Sequence, residues 1–224
     1  TIIFILYMYN YLFLNVKNQK QIDNFYTYNN ILPISRGEPD YEPHRWNTNN
    51  NIQNSHNCYS YMLNDINNHL KDLCRDGDGI NDKYKCRYIN PQPGHYCGMT
   101  KRVNKEETTC KNLRERVLCD NPSIKIAEKN ERCPLNYYKG ALTVNPEKQY
   151  HFYRQDSNGT WSHKDGGGEA TNVDASGNTI YDPRIADRDY SNLVEDSNFK
   201  EFCNYFCIPR NDYQRTCASR NNPQ

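Results

Sequence analysis

Hydrophobic positions divide the chain into stretches of different period. From Tyr59 the apolar side chains are Tyr59, Met62, Leu63, Ile66, Leu70 and Leu73, spaced by threes and fours along one face of an α-helix. Asn57 or Ser55 can cap that helix, which puts Cys58 in its first turn. Later the period shortens. Residues 141–144, 150–154, 160–164 and 170–174 are short β-type runs, separated by Asn-Pro, Asn158-Gly159, Gly166-Gly167-Gly168 and Ser176-Gly177-Asn178. They predict a small antiparallel meander, and residues 202–208 read as a final strand. Between helix and meander lies a polar insert, residues 74–133, expected to be loops with one short helix near 111–118. The order of elements is that of an α+β domain.

The ends of the chain follow neither pattern. Residues 1–17 open with the apolar run IIFILYMYNYLFLNV, broken only by Asn10 and Asn15. The run is shorter than the ~20 residues of a spanning helix, a length it would reach with residues upstream of Thr1. Lys17 and Lys20 follow it as interface charges would. A hydrophobic anchor helix is the expectation. A helix packed on a partner, a cleaved signal segment and an ordinary buried helix are the alternatives. Residues 18–54 are Asn-rich, with Pro33, Pro39 and Pro43, and read as an extended arm or linker. The domain proper is then 55–209, with 210–224 a polar tail.

Composition changes the picture in one respect. The formal charge is +1, which argues against a nucleic-acid partner. Only 36% of residues are hydrophobic, but 19 Tyr and 10 Cys supply what a core needs. No C-x-x-C pair exists, so zinc is disfavoured and no metal or other cofactor is expected. An even number of cysteines in polar sequence reads as a disulfide framework, hence an oxidising, extracellular, lumenal or virion setting. Asn158-Gly159-Thr160 is the single glycosylation sequon. Asp76-Gly-Asp78-Gly resembles a calcium loop but lacks the later ligand and glycine, and reads as a polar turn.

The candidate chemistry starts at Cys58. Unpaired N–H groups at a helix start favour a thiolate, which needs a histidine as base and an orienting group behind it. His151 and His163 lie on consecutive predicted strands. A two-residue turn at Asn158-Gly159 would set His163 opposite Arg154 and send the two rings to opposite faces. A loop centred on Ser157 would set the histidines opposite each other, and the constellation requires that register or a bulge.

In this order, Asn57-Cys58-Tyr59-Ser60-Tyr61, Pro93-Gly94, Tyr150-His151-Phe152-Tyr153 and Trp161-Ser162-His163 resemble the NlpC/P60 and CHAP cysteine peptidases. The resemblance covers residues 55–165 discontinuously. It implies a papain-like fold, with Cys58 as nucleophile, His151 as base, His163 as orienting residue, and cleavage of peptide or amide bonds, as in peptidoglycan. Gln53 is an upstream oxyanion candidate by the same likeness, although its spacing differs. The Cys58 backbone N–H is the alternative donor. The insert lengthens the usual Cys-to-His separation.

Two functions are therefore expected. One is a membrane-anchored or surface hydrolase, active or not. The other is a structural component of a virion or extracellular assembly, a disulfide-hardened, hydrolase-like brick. Residues 1–17 and the 18–54 arm would engage the membrane or neighbouring subunits. A free Cys58 thiol within hydrogen-bond reach of His151 favours the first reading, and a disulfide at Cys58, or a His151 far from it, the second.

Overall fold

The computed structural model describes residues 31–75, 86, 89–99 and 102–210. The described residues from Leu32 on belong to one compact unit. The expected N-terminal anchor, the Asp76–Asp82 turn and most of the 210–224 tail, Cys217 included, lie outside the described residues. Among the described residues, no helix is long and apolar enough to cross a membrane.

The architecture is α+β. Helices α1 (His44–Asn47), α2 (Asn50–Ser55), α3 (Cys58–Met62), α4 (Asn68–Arg75) and α5 (Cys110–Asp120) accompany six strands. These are β1 (Lys125–Ala127), β2 (Tyr137–Asn145), β3 (Gln149–Gln155), β4 (Trp161–Lys164), β5 (Ala170–Thr171) and β6 (Glu201–Pro209). The sheet order is β1-β6-β2-β3-β4-β5, antiparallel at every pair. The meander is β2 to β5. The last strand returns beside β2, and β1, which has no apolar run to announce it, completes the edge.

Alternation gives the sheet two buried faces. Tyr138, Leu142, Val144, Phe152, Phe206 and Ile208 join Tyr59, Met62, Leu113 and Val117 beneath α3 and α5. Ala141, Tyr153, Trp161, Tyr205 and Cys207 form the other face, with Leu32 and Ile180 from irregular segments. Burying both faces needs apolar positions in adjacent residues, which is why β2 is buried almost throughout. At Gly140 an added Cβ would lie 2.5 Å from Ile208 and 2.9 Å from Met62, so a glycine there lets α3 approach the sheet.

The helix expected from Tyr59 to Leu73 is two helices. After Met62 the chain turns at Asn64, in left-handed backbone at φ 52°. Tertiary partners fix the break. Arg154 donates to Asn64 Oδ1 at 2.9 Å, and His56 Nε2 accepts the Asn67 N–H at 2.9 Å. Leu73, expected on the buried face, is 49% exposed. The arm also differs from a free linker. From Leu32 it belongs to the compact unit, with Leu32, Glu38 and Trp46 buried.

Among the described residues, four disulfides brace the unit: Cys74–Cys86, Cys97–Cys119, Cys110–Cys203 and Cys133–Cys207. Two lie within the Cys-rich insert, and two fasten it to β6. Cys58 is a free thiol.

Candidate functional site

Asn57 organises the residues around Cys58. Its Oδ1 caps α3 by accepting the Tyr59 and Ser60 N–H groups, each at 3.1 Å. Its Nδ2 donates to Pro91 O at 2.7 Å. One side chain thus sets both the start of the Cys58 helix and the loop facing it. That loop is held further by Asp120, whose carboxylate accepts the N–H groups of Gly94 (2.6 Å), Tyr96 (2.9 Å) and Cys97 (3.1 Å). Gln92, on the same loop, accepts the Tyr150 hydroxyl at 2.5 Å. A cavity of about 550 Å³ results, bordered by Cys58, Gln92, Tyr150, His151 and the turn from Asp165 to Gly168.

Cys58 sits in the first turn of α3, as the sequence indicated, but its thiol is not activated. Burial pushes it up to about 12, against the smaller opposing pull of the Phe152 and Tyr59 backbone and the charge of Lys164. A helix of five residues has a short dipole, and desolvation outweighs it.

The two histidines meet. The hairpin pairs Tyr153 with His163, Arg154 with Ser162 and Gln155 with Trp161. The turn is therefore centred on Asn158, in neither anticipated register. A shift of two preserves the face, so His151 and His163 share one diagonally, and His151 Nε2 lies 2.8 Å from His163 Nδ1. The acceptor at the far end assigns the protons. His163 Nε2 lies 3.0 Å from the Val173 carbonyl, which only accepts, so Nε2 carries the hydrogen. His163 Nδ1 then accepts from His151 Nε2–H, which leaves His151 Nδ1 as the bare nitrogen. Burial lowers both histidines from their usual range, and His163 adds to the effect on His151. Tyr153 packs edge-on to the His151 ring and Phe199 stacks on it, while Tyr190 OH lies 3.3 Å from His163 Nε2.

The thiol and the imidazoles occupy opposite sides of β3. Cys58 clusters with Phe152 beneath the helices, whereas His151 and Tyr153 point to the other face. Both border the cavity at the sheet's end, and among the described residues no hydrogen bond joins Cys58 to His151.

Gln53 lies on α2 and is not among the cavity-lining residues. Its carbonyl, with those of His56 and Gly166, receives the buried Lys164 Nζ at 2.6, 2.7 and 2.6 Å. That cation ties the segment before Cys58 to the Gly turn after β4. The sequence reading missed Lys164, because a strand lysine looks like a surface residue, and it missed Gln92, because nothing local links it to Tyr150. Asn158 is exposed at the β3–β4 tip, away from the cavity. Among the described residues, no group of three or more His, Cys, Asp or Glu side chains could hold a metal ion.

No family model matches the chain, and no solved structure matches it. A curated relative does: insoluble matrix shell protein 1 of Ruditapes philippinarum is 35% identical over 158 residues, covering 69% of this chain and 85% of that protein. With that identity over most of the relative's length, the chain belongs to the insoluble matrix shell protein 1 family.

Proposed function

We propose that the protein is a structural component of an extracellular organic matrix, a brick of papain-like architecture hardened by disulfides. The 35% identity to an insoluble matrix shell protein carries this reading. The four disulfides support it, since such bonds persist in oxidising surroundings and fix a chain of low apolar content. Residues 1–17 and the part of the arm before Leu32 would supply contacts to neighbouring subunits or to a membrane. Antibodies against the folded unit should label the insoluble extracellular matrix of the source. Detection only inside cells would overturn the assignment.

A second reading has its own observation: an unpaired Cys58 borders the same cavity as His151, which is hydrogen-bonded to His163. In a Cys/His hydrolase, His151 Nδ1 would take the Cys58 proton as sulfur attacks an amide carbonyl, and His163 would hold the ring. The raised thiol weighs against a resting ion pair. At pH about 8, a thiol titrating at about 12 is ionised to roughly one part in 10⁴. Folded protein should therefore react with iodoacetamide at Cys58 more than ~10²-fold slower than unfolded chain. Labelling faster than in the unfolded chain, abolished by His151→Ala, would instead favour the hydrolase.

A further inference from the structure

We infer that Asn158 is an N-glycosylation site, which would place a glycan at the end of the molecule opposite the cavity. The Asn158-Gly159-Thr160 sequon forms the β3–β4 tip, and the tip is a formed structure. Asp156 N donates to Thr160 O at 2.9 Å, Gly159 N donates to Asp156 O at 2.8 Å, and Gly159 takes φ 85°. Asn158 Oδ1 accepts both the Thr160 N–H (3.0 Å) and the Thr160 hydroxyl (2.8 Å). The oxygen of the carboxamide is thus satisfied within the turn, while Nδ2, the atom to be modified, donates to none of the described residues. The side chain is exposed, so a saccharide at Nδ2 displaces no packed group. Ser157 anchors the tip to the arm, its N–H to Pro39 O at 2.9 Å and its hydroxyl to Asp40 Oδ1.

The co-reactant is an oligosaccharide carried on a polyprenyl pyrophosphate. Nδ2 attacks the anomeric carbon and the new N–C bond forms. The C–O bond to the pyrophosphate breaks, the lipid pyrophosphate leaves with the electron pair, and one Nδ2 proton goes to base. A chain that acquires four disulfides passes through the compartment where this transfer occurs. Seven residues of strand and turn put the tip roughly 20 Å from His151. A glycan there caps one end of the sheet with hydrated polymer and leaves the cavity beside the buried Cys58 uncovered. This holds for either function proposed above.

The test uses the full chain secreted from animal cells. Peptide mapping after peptide-N-glycosidase treatment should show Asn158 converted to Asp, and the whole glycan mass should vanish in Asn158→Gln and Thr160→Ala and persist in Thr160→Ser. Cys58 labelling should be the same with and without the glycan. Secreted, disulfide-complete protein with Asn158 unoccupied would overturn the inference, as would undiminished glycan mass in Asn158→Gln. Mapping of the unmutated chain decides the matter even if a variant fails to fold.

Discussion

The two faces of the sheet are built by different means. Beneath α3 and α5 the packing is apolar and regular, with Phe152, Leu142 and Phe206 against Tyr59, Met62 and Val117. The opposite face carries His151, Tyr153, His163 and Trp161, and irregular chain covers it: the arm at Leu32, then the stretch with Val173, Ile180, Tyr190 and Phe199. Arg188 braces that stretch by donating to the carbonyls of Pro183 (2.6 Å), Arg184 (2.8 Å) and Phe199 (2.9 Å). Helices satisfy their own backbone and cover a face with side chains alone. A loop cover must find partners for every amide it buries, so it brings polar groups with it. That is how two neutral histidines come to share a buried hydrogen bond on one side only.

The sharpest way to break the helix-covered face is Phe152→Ala. It should cost about 3–5 kcal/mol, because its neighbours are held by the sheet and cannot collapse into the space. A lowered urea midpoint with unchanged slope would record it, and a loss under 1 kcal/mol would mean that this face is loosely packed.

Next come the disulfides, two of which fasten the Cys-rich insert to β6. Replacing Cys110 and Cys203 by Ser opens a link across 93 residues, against 12 for Cys74–Cys86. On loop entropy alone, the longer link should contribute about 2 kcal/mol more than the shorter one. Equal losses in the two double variants would show that the insert is already ordered without its bridges.

Buried histidines should make stability depend on pH: the His151–His163 pair on the loop-covered face, and His56 at the junction of α2 and α3. His151 and His163 titrate below their unfolded value, and His56 at about 4, burial being the first cause for each. In the window between the folded and unfolded values the unfolded chain binds more protons, so stability rises with pH. The stabilising difference is complete above the unfolded histidine value of ~6.5 and is lost as pH falls below it, by up to about 1.4 kcal/mol per pH unit for each histidine involved. His163→Gln should flatten that slope in unfolding measurements from neutral to acid pH. An unchanged slope would mean that His151 and His163 are not buried as a neutral pair.

The smallest effect is expected at the seam between the α3 start and the cavity. Asn57→Ala removes both the α3 cap and the bond to Pro91, and should cost about 1–2 kcal/mol. Asn57→Ser restores the cap alone, so the difference between the two variants in thermal unfolding reads the loop contact.

Much of the fold was legible in the chain. Period-two runs placed β2, β3, β4 and β6, an Asn before an apolar run marked the α3 start, and Cys110–Asp120 formed near the helix expected in the insert. The long helix was misjudged because spacing reports which face is apolar, not whether the backbone continues. Asn64 breaks it with help from Arg154, 90 residues away. Strand β1 was invisible because three residues paired on β6 need no pattern of their own.

For the candidate site, the sequence determined identities and faces: a cysteine at a helix start, and two histidines twelve residues apart on neighbouring strands. Only the tertiary structure decided the turn register, the proton positions fixed by the Val173 carbonyl, the cation that Lys164 buries among three carbonyls, and the four pairings among the cysteines. Side-chain period is set by bonds between neighbouring residues and can be read along the chain. Burial, pKa and hydrogen-bond direction depend on which distant groups exclude water from a site, and those groups are chosen by packing.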